Sequence, residues 1–458
     1  MRRLTRAEAG AGDASPVRVV HLGLGAFFRA HQAWYTHRAN TADPTGEPAG
    51  IVAFTGRRPD AARPLADQDG LYHLLVRDRD GDRTELVTSL SGAYDGADAK
   101  RRDGALADPA VSTVTLTITE AGYLRAADGA PDLADPRLAG DLERLRAGDS
   151  AVSTAPGRLL AGLAARRAAD AGPLAVVPCD NLVDNGATVA RVLTGVAEAV
   201  DDGLAAWVRA NVSFVSTTVD RITPATTPGD REVIASLSGF ADQAPVVTEP
   251  FTEWVLAGDF PAGRPAWEHA GARFVDDVRP FEQRKLWLLN GAHSLLAYAG
   301  PTRGHETVAE AIADPVCRGW VDAWWDAAAR HLALDAADIA KYRDDLVERF
   351  ANPRIRHALA QIAMDGSQKL PIRVLPVLTR ERADGVLPEG GVVALAGWLA
   401  HLRDGTRVRD PRGEELLGLA DGPVDDVVPR VLAVLDPALA DDAELLAGVR
   451  EKLTELAR

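Results

Sequence analysis

Two cysteines in the whole chain, Cys179 and Cys317, leave no material for a disulfide framework or a cysteine-rich zinc site. That scarcity fits a protein kept in a reducing cytoplasm. Ten histidines are scattered without ligand spacing, so no metal is expected. No apolar run approaches the roughly 20 residues of a membrane span. A P-loop is also missing, which excludes a phosphotransferase built on GxxxxGKS or GxxxxGKT. Basic excess is absent too: the net charge is -15, with acids and bases interspersed. Nucleic-acid and anionic-membrane surfaces, which need a basic stripe, are therefore not expected. A few local arginines can still form an anion pocket on an acidic protein.

What is present is an ordinary globular mixture, 46% apolar and 26% charged, in 458 residues. That length exceeds one ordinary core, so two domains are expected. The stretch Met1–Pro16 is basic and then Ala/Gly-rich, with no apolar segment after it. It reads as a frayed terminus rather than a signal peptide.

Val17–Leu22, Ile51–Thr55, Ser112–Thr119, Leu174–Pro178 and Val212–Thr217 are short apolar, β-branched runs. Helix-like segments separate them, notably Gly157–Ala171 and Ala187–Ala199. Strands alternating with helices predict a parallel sheet covered on both faces, an α/β Rossmann-type domain. Beyond about residue 278 strand signals fade. Helical spacing then dominates over Thr307–Ala311, Gly319–Leu332, Ala337–Phe350, Ile355–Ala363, Gly391–Leu402 and Asp442–Leu456. The expected division is 1–278, dinucleotide-binding, and 279–458, mostly α-helical and substrate-binding. The boundary falls just before a long apolar helix, Phe281–Ala299.

The first strand runs into Gly23-Leu24-Gly25-Ala26-Phe27-Phe28. Gly23 suits a tight turn, and Gly25 lets a pyrophosphate approach the following helix. The third fingerprint position is Phe28 rather than glycine. A plain strand–helix turn also fits, but the place of this turn in the first βα unit favours dinucleotide binding. After the second strand come Gly56-Arg57-Arg58-Pro59, with no acid before Asp60. The two arginines suit a 2′-phosphate, or they are solvated loop residues, so NAD and NADP both remain open.

The segment Glu282 to His293 carries Lys285, Asn290 and His293 on an otherwise apolar helix. At α-helical winding these three fall within roughly 140° of one another. Either the lysine snorkels outward over core-satisfied neighbours, or this face is an active-site wall.

Seven blocks in order decide between them: GLGAFFRAHQ (23–32), LTITEAGY (116–123), PCDNLVDNG (178–186), VDRITP (219–224), EPFTEWV (249–255), KLWLLNGAH (285–293) and DGSQKLPIR (365–373). On these the chain resembles the polyol-specific long-chain dehydrogenase/reductase family. Its members include mannitol 2-dehydrogenase, fructuronate and tagaturonate reductases, arabinitol dehydrogenase and mannitol-1-phosphate dehydrogenase. The resemblance runs from about Val17 to Arg373.

The resemblance implies a metal-independent, NAD(P)-dependent oxidoreductase that interconverts a secondary alcohol and a ketone of a sugar polyol or sugar acid. Lys285 then corresponds to the catalytic acid/base, which requires a pKa well below the usual lysine value of about 10.4. Asn290 and Asn181 correspond to amides that polarise the carbonyl, and His293 to a residue orienting substrate hydroxyls. Asp220 corresponds to a substrate-side acid, Glu282 to a gate on the proton path, and Glu120 to a residue beside the cofactor. Gly23, Gly25, Ala26 and Phe27 fall in the cofactor turn. Ordinary structural roles also fit some of these: Asp220 as an ion-pair partner of Arg221, Asn181 as an Asx-turn residue, Glu282 as a first-turn helix acid.

The block Asp365–Arg373 looks closer to the fructuronate-reductase branch. Arg373 could clamp a carboxylate, and with Lys369 a phosphate; alternatively both face solvent or acids. The expected reaction is D-mannitol/D-fructose or D-mannonate/D-fructuronate interconversion, with mannitol-1-phosphate 5-dehydrogenase as the alternative. A non-catalytic NAD(P)H sensor needs the glycine turn but not the lysine, the two amides and the histidine together. The partner is then a small sugar alcohol or sugar acid, and both a monomer and a homodimer fit.

Overall fold

Runs of valine, leucine and isoleucine too short for helices form a six-stranded sheet in the first half of the chain. Its strands are β1 (Val17–Leu22), β2 (Gly50–Phe54), β3 (Leu90–Tyr94), β4 (Thr113–Leu116), β5 (Leu174–Pro178) and β6 (Val212–Phe214). They lie in the order β3-β2-β1-β4-β5-β6, every neighbouring pair parallel. This is the doubly wound dinucleotide-binding order, with its reversal between β1 and β4. Alternate residues feed two cores, as strand pleating requires. Val19, Ile51, Ala53, Ala175 and Val177 pack on one face, and Val20, Val52, Phe54, Leu174 and Val176 on the other. Both faces being buried explains why these strands read as continuous apolar runs.

The computed structural model describes residues 1–43, 46–406 and 408–457. It divides into two compact units, Met1–Val278 and Arg279–Arg458.

Two expectations for the first unit are corrected. The N-terminus is not frayed: Arg2–Arg3 pairs in parallel with Phe240–Ala241, and Leu4 is buried. Arg6 donates to the carbonyls of Thr88 and Leu90 at 2.8 and 3.0 Å, so one guanidinium anchors the segment. Val212–Thr217 is not one strand. It divides into β6 and Ser216–Asp220, which pairs antiparallel with Glu253–Ala257 in another sheet. The cause is Asn185, whose side chain accepts from Thr217 N–H at 2.8 Å and donates to Thr217 O at 3.1 Å, replacing ladder partners. A hairpin of Tyr72–Arg77 and Asp82–Val87, flanked by Val246–Thr248, was not foreseen.

The second unit is helical, and among its described residues no strand forms. Gly291–Ala299 and Glu389–Asp404 are apolar nearly all round and largely buried. A Cβ at Gly397 would sit 2.9 Å from Ala299 N, so glycine permits their close packing. The helix expected over Ile355–Ala363 shrinks to Leu359–Ile362. Extended backbone before it gives His357 O to Val308 N–H, while Leu359 N–H goes to Glu306 O, which precludes helical bonding there. No helix of the described chain is long and apolar enough to cross a membrane.

Candidate active site

The glycine turn sits at the sheet's reversal point, where open α/β sheets bind ligands. Gly23 has φ +113°, and a Cβ there would collide with Thr117 O at 2.2 Å. Thr117 follows β4, and its hydroxyl donates to Gly23 O at 2.7 Å, tying the turn across the β1–β4 crevice. At Gly25, which precedes the helix Ala26–Ala30, an added Cβ would have only Gly23 O nearby, at 3.5 Å. A side chain would fill the open space before that helix. The turn therefore fits a dinucleotide pyrophosphate. Phe28, in the third fingerprint position, is fully buried and stacks on His21 at 3.5 Å between ring centroids. It faces the core, so its replacement of glycine leaves the phosphate side clear. Phe27, partly buried, stacks on His31.

Arg57 and Arg58 are exposed just after β2, and neither side chain makes a hydrogen bond or ion pair with any described residue. Glu120 is exposed in the turn Glu120–Tyr123 and lines a cleft of about 480 Å³ together with Arg125, Asp132 and Arg137.

Asn181 is exposed in the bend after β5, and Asp220 is buried at the end of Ser216–Asp220. Asn185 links the two segments, because it also donates to Pro178 O at 3.3 Å. Arg221 is committed elsewhere: it donates to Ala30 O at 2.6 Å and lies 4.5 Å from the Trp34 ring. Tyr123 donates its hydroxyl to Asp180, whose carboxyl is raised by burial against that bond's opposing effect.

In the second unit, Glu282 is buried in Arg279–Arg284, and the same rod continues through Lys285–Asn290 into Gly291–Ala299. The winding differs from expectation: Lys285–Asn290 is a π-helix. Its i to i+5 bonding carries Asn290 back over Lys285, whereas α winding would put them roughly 140° apart. Both side chains are half-buried.

His293 is buried and stacks on Phe350 at 4.6 Å, with His357 edge-on at 4.8 Å. Its Nε2 has no hydrogen-bond partner. Burial first, then the charges of His357, Arg349 and Arg373, push its pKa well below the usual value, so the ring is neutral. Arg373, at the end of Gly366–Arg373, donates to the Ser294 hydroxyl at 3.3 Å, while its buried Nε is unpartnered. Lys369 donates to Ile362 O at 3.3 Å and lies 3.9 Å from Asp365. Burial and the charge of Arg373 lower its pKa. Neither residue is simply solvated.

Several residues here were not singled out from the sequence. Tyr123, Asp180 and Asn185 stand inside two of the quoted blocks, which was their only signal. Ser294, Phe350 and His357 gave none, since their association with His293 is purely tertiary.

Among the described residues one group could hold a metal: His305, Asp314 and Cys317. The Asp314 carboxylate already bonds Arg303, His305 and the Val316 N–H. Both cysteines are buried and unpaired.

Residues 17–269 match the mannitol dehydrogenase Rossmann domain, and 277–456 the mannitol dehydrogenase C-terminal domain. The chain is 38% identical over 392 residues to D-mannonate oxidoreductase of Escherichia coli K12, covering 84% of this chain and 79% of that one. It is 38% identical over 395 residues to D-arabinitol 4-dehydrogenase of Ralstonia nicotianae, covering 85% and 84%. The solved Pseudomonas fluorescens mannitol 2-dehydrogenase ternary complex with NAD and D-mannitol superimposes with a TM-score of 0.80 at 33% identity, covering 99% of this chain and 96% of that one. Fold and likeness together define an NAD(P)-dependent oxidoreductase of the polyol dehydrogenase class. The chain belongs to the mannitol dehydrogenase family.

Proposed function

We propose that the protein reduces a ketose acid of the D-fructuronate type to the D-mannonate-type alcohol, and catalyses the reverse oxidation, with Lys285 as acid/base. Residues 1–278 hold the dinucleotide and 279–458 supply the substrate pocket. The observation that carries the sugar-acid reading is the pair of buried, unpartnered nitrogens, His293 Nε2 and the guanidinium Nε of Arg373. A buried donor without a partner is costly, and a substrate oxygen relieves that cost. With the cations Arg349 and Arg373 both close enough to lower the His293 pKa, this wall favours an anionic substrate end. D-mannonate oxidoreductase among the relatives supports the same substrate class.

Gly23, Gly25, Ala26 and Phe27 shape the pyrophosphate site, and Glu120 lies on the cofactor side. A dinucleotide held there would supply the hydride acceptor for oxidation and the hydride donor for reduction. Lys285 as a neutral amine accepts the hydroxyl proton, and as ammonium returns it in reduction. Asn290 and Asn181 donate to the oxygen as negative charge develops. His293 orients a neighbouring hydroxyl, Asp220 is the acid on the substrate side, and Glu282 passes the proton of Lys285 onward. Arg373, aided by Lys369, takes the carboxylate. Arg57 and Arg58, free and exposed, favour a 2′-phosphate, hence NADPH. This chemistry needs no metal.

A second reading, a neutral polyol such as D-mannitol, is favoured by the likeness to the complex with NAD and D-mannitol. Oxidation of NADH and NADPH measured against D-fructuronate, D-tagaturonate, D-fructose and fructose 6-phosphate separates the two. Preference for a uronate supports the sugar acid; preference for fructose supports the polyol. Preference for the phosphate ester selects mannitol 1-phosphate chemistry. Tight NADH binding without turnover on any of them would make the protein a sensor.

A further inference from the structure

Lys285–Asn290 departs from α winding inside an otherwise continuous helix. Such π turns are rare and recur at functional sites. They also deprive carbonyls of their i+4 amide. Here Gly291 N–H passes over Trp287 O and is shared between Leu286 O and Leu288 O. Trp287 O accepts instead from the indole Nε1–H of Trp324 at 2.7 Å, and Leu288 O from that of Trp325 at 2.9 Å. Both indoles stand side by side on Pro315–Ala329 and are fully buried. The fit is close on two sides. A Cβ at Gly291 would lie 2.6 Å from Trp324 Nε1, and one at Gly390 would lie 2.5 Å from Trp324 Cβ. Glycine thus follows Asn290 because the indole occupies that space.

We propose that Trp324 and Trp325 are positioning residues: their indole donors hold the π turn and so set Lys285 and Asn290 on one face for reaction. The inference rests on the reading of Lys285 as acid/base. Without the Trp324 donor, Trp287 O loses that bond, and rewinding toward the i+4 amide of Gly291 replaces it. Rewinding turns Asn290 away from Lys285 and separates the base from the amide that must act on the same oxygen. Neither tryptophan is proposed to touch substrate. Each acts through the backbone it caps.

The test is Trp324→Phe and Trp325→Phe, which keep a buried ring and remove the donor, beside Gly291→Ala and Lys285→Ala. Gly291→Ala retains both indoles but intrudes on Trp324, so it probes the same clamp by a milder change. Circular dichroism checks folding, and NADH binding checks the first unit. The expected result in the tryptophan variants is a kcat lowered about 10- to 100-fold, as for a misplaced catalytic group. NADH affinity stays at the wild-type level, and the pH profile of kcat is displaced because the lysine's surroundings have changed. Gly291→Ala should show the same displacement with a smaller loss. If Lys285→Ala retains wild-type turnover, the acid/base reading fails and the positioning role falls with it. If Lys285→Ala is inactive while folded tryptophan and Gly291→Ala variants keep wild-type kcat and pH profile, the reading of Lys285 stands and the clamp is overturned.

Discussion

Tyr123 donates its hydroxyl hydrogen to the carboxylate of Asp180, the residue immediately before Asn181. The bond joins the turn after β4 to the bend after β5, two neighbouring parallel strands. Asp180 also accepts from Leu182 N–H at 3.0 Å, so its carboxylate shapes the bend that presents Asn181. Tyr123→Phe removes one donor from a carboxyl already raised by burial. The expected cost is about 1–3 kcal/mol of stability, with a drop in kcat through displacement of Asn181. Thermal melting and steady-state kinetics check it. A variant that melts and turns over like wild type would remove this bond from the account.

Cofactor choice is expected to reside in Arg57 and Arg58. Their joint replacement by alanine should raise KM for NADPH roughly 10- to 100-fold, the worth of one lost charge-assisted contact, while leaving NADH nearly unaffected. Equal effects on both cofactors would defeat the 2′-phosphate assignment.

Arg373 is expected to discriminate by substrate charge. Arg373→Ala should lower kcat/KM for fructuronate roughly 10- to 100-fold and that for fructose much less. Unchanged uronate reduction sinks the carboxylate clamp. Loss on both sugars alike would assign Arg373 to Ser294 and the packing of its helix instead.

Acid stability is expected to report on His21. Its pKa falls from 6.5 to about 3, chiefly through burial, despite opposing backbone bonds. A group depressed in the folded state contributes stability that is present above the unfolded value, here pH 6.5, and lost as pH falls through the folded one. The slope is at most about 1.4 kcal/mol per pH unit for one histidine. His293 and His357 shift in the same direction and add to the same acid limb. Melting temperature followed from neutral pH downward should therefore decline less steeply in His21→Gln than in wild type. Parallel acid limbs would show that His21 is not a main contributor.

The parts of this fold that were legible in the sequence are those where one local pattern decides the outcome. β1 and β5 are short valine-rich runs closed by a glycine turn or a proline, and their observed limits are Val17–Leu22 and Leu174–Pro178. The strand Asp82–Val87 was missed because it is charged and half-exposed, so its apolar alternation is faint, although Asp80-Gly81 marks the turn. The terminal anchor was missed because it depends on one leucine and one arginine reaching distant carbonyls. The π turn could not be read at all. KLWLLN has the same apolar content in either winding, and the indoles that cap it come from a helix 37 residues away. Motif spacing likewise pointed to His293 but not to Phe350 or His357, which reach it only through folding.

Lys285 is expected to move the proton of the reacting hydroxyl. Single-turnover hydride transfer in Lys285→Ala, with cofactor and substrate both bound, tests it most directly. The expected result is intact NADH or NADPH binding and a transfer rate lowered at least about 100-fold, the range of general acid–base catalysis, with partial recovery by added primary amines. Wild-type transfer in a fully folded Lys285→Ala protein would contradict it.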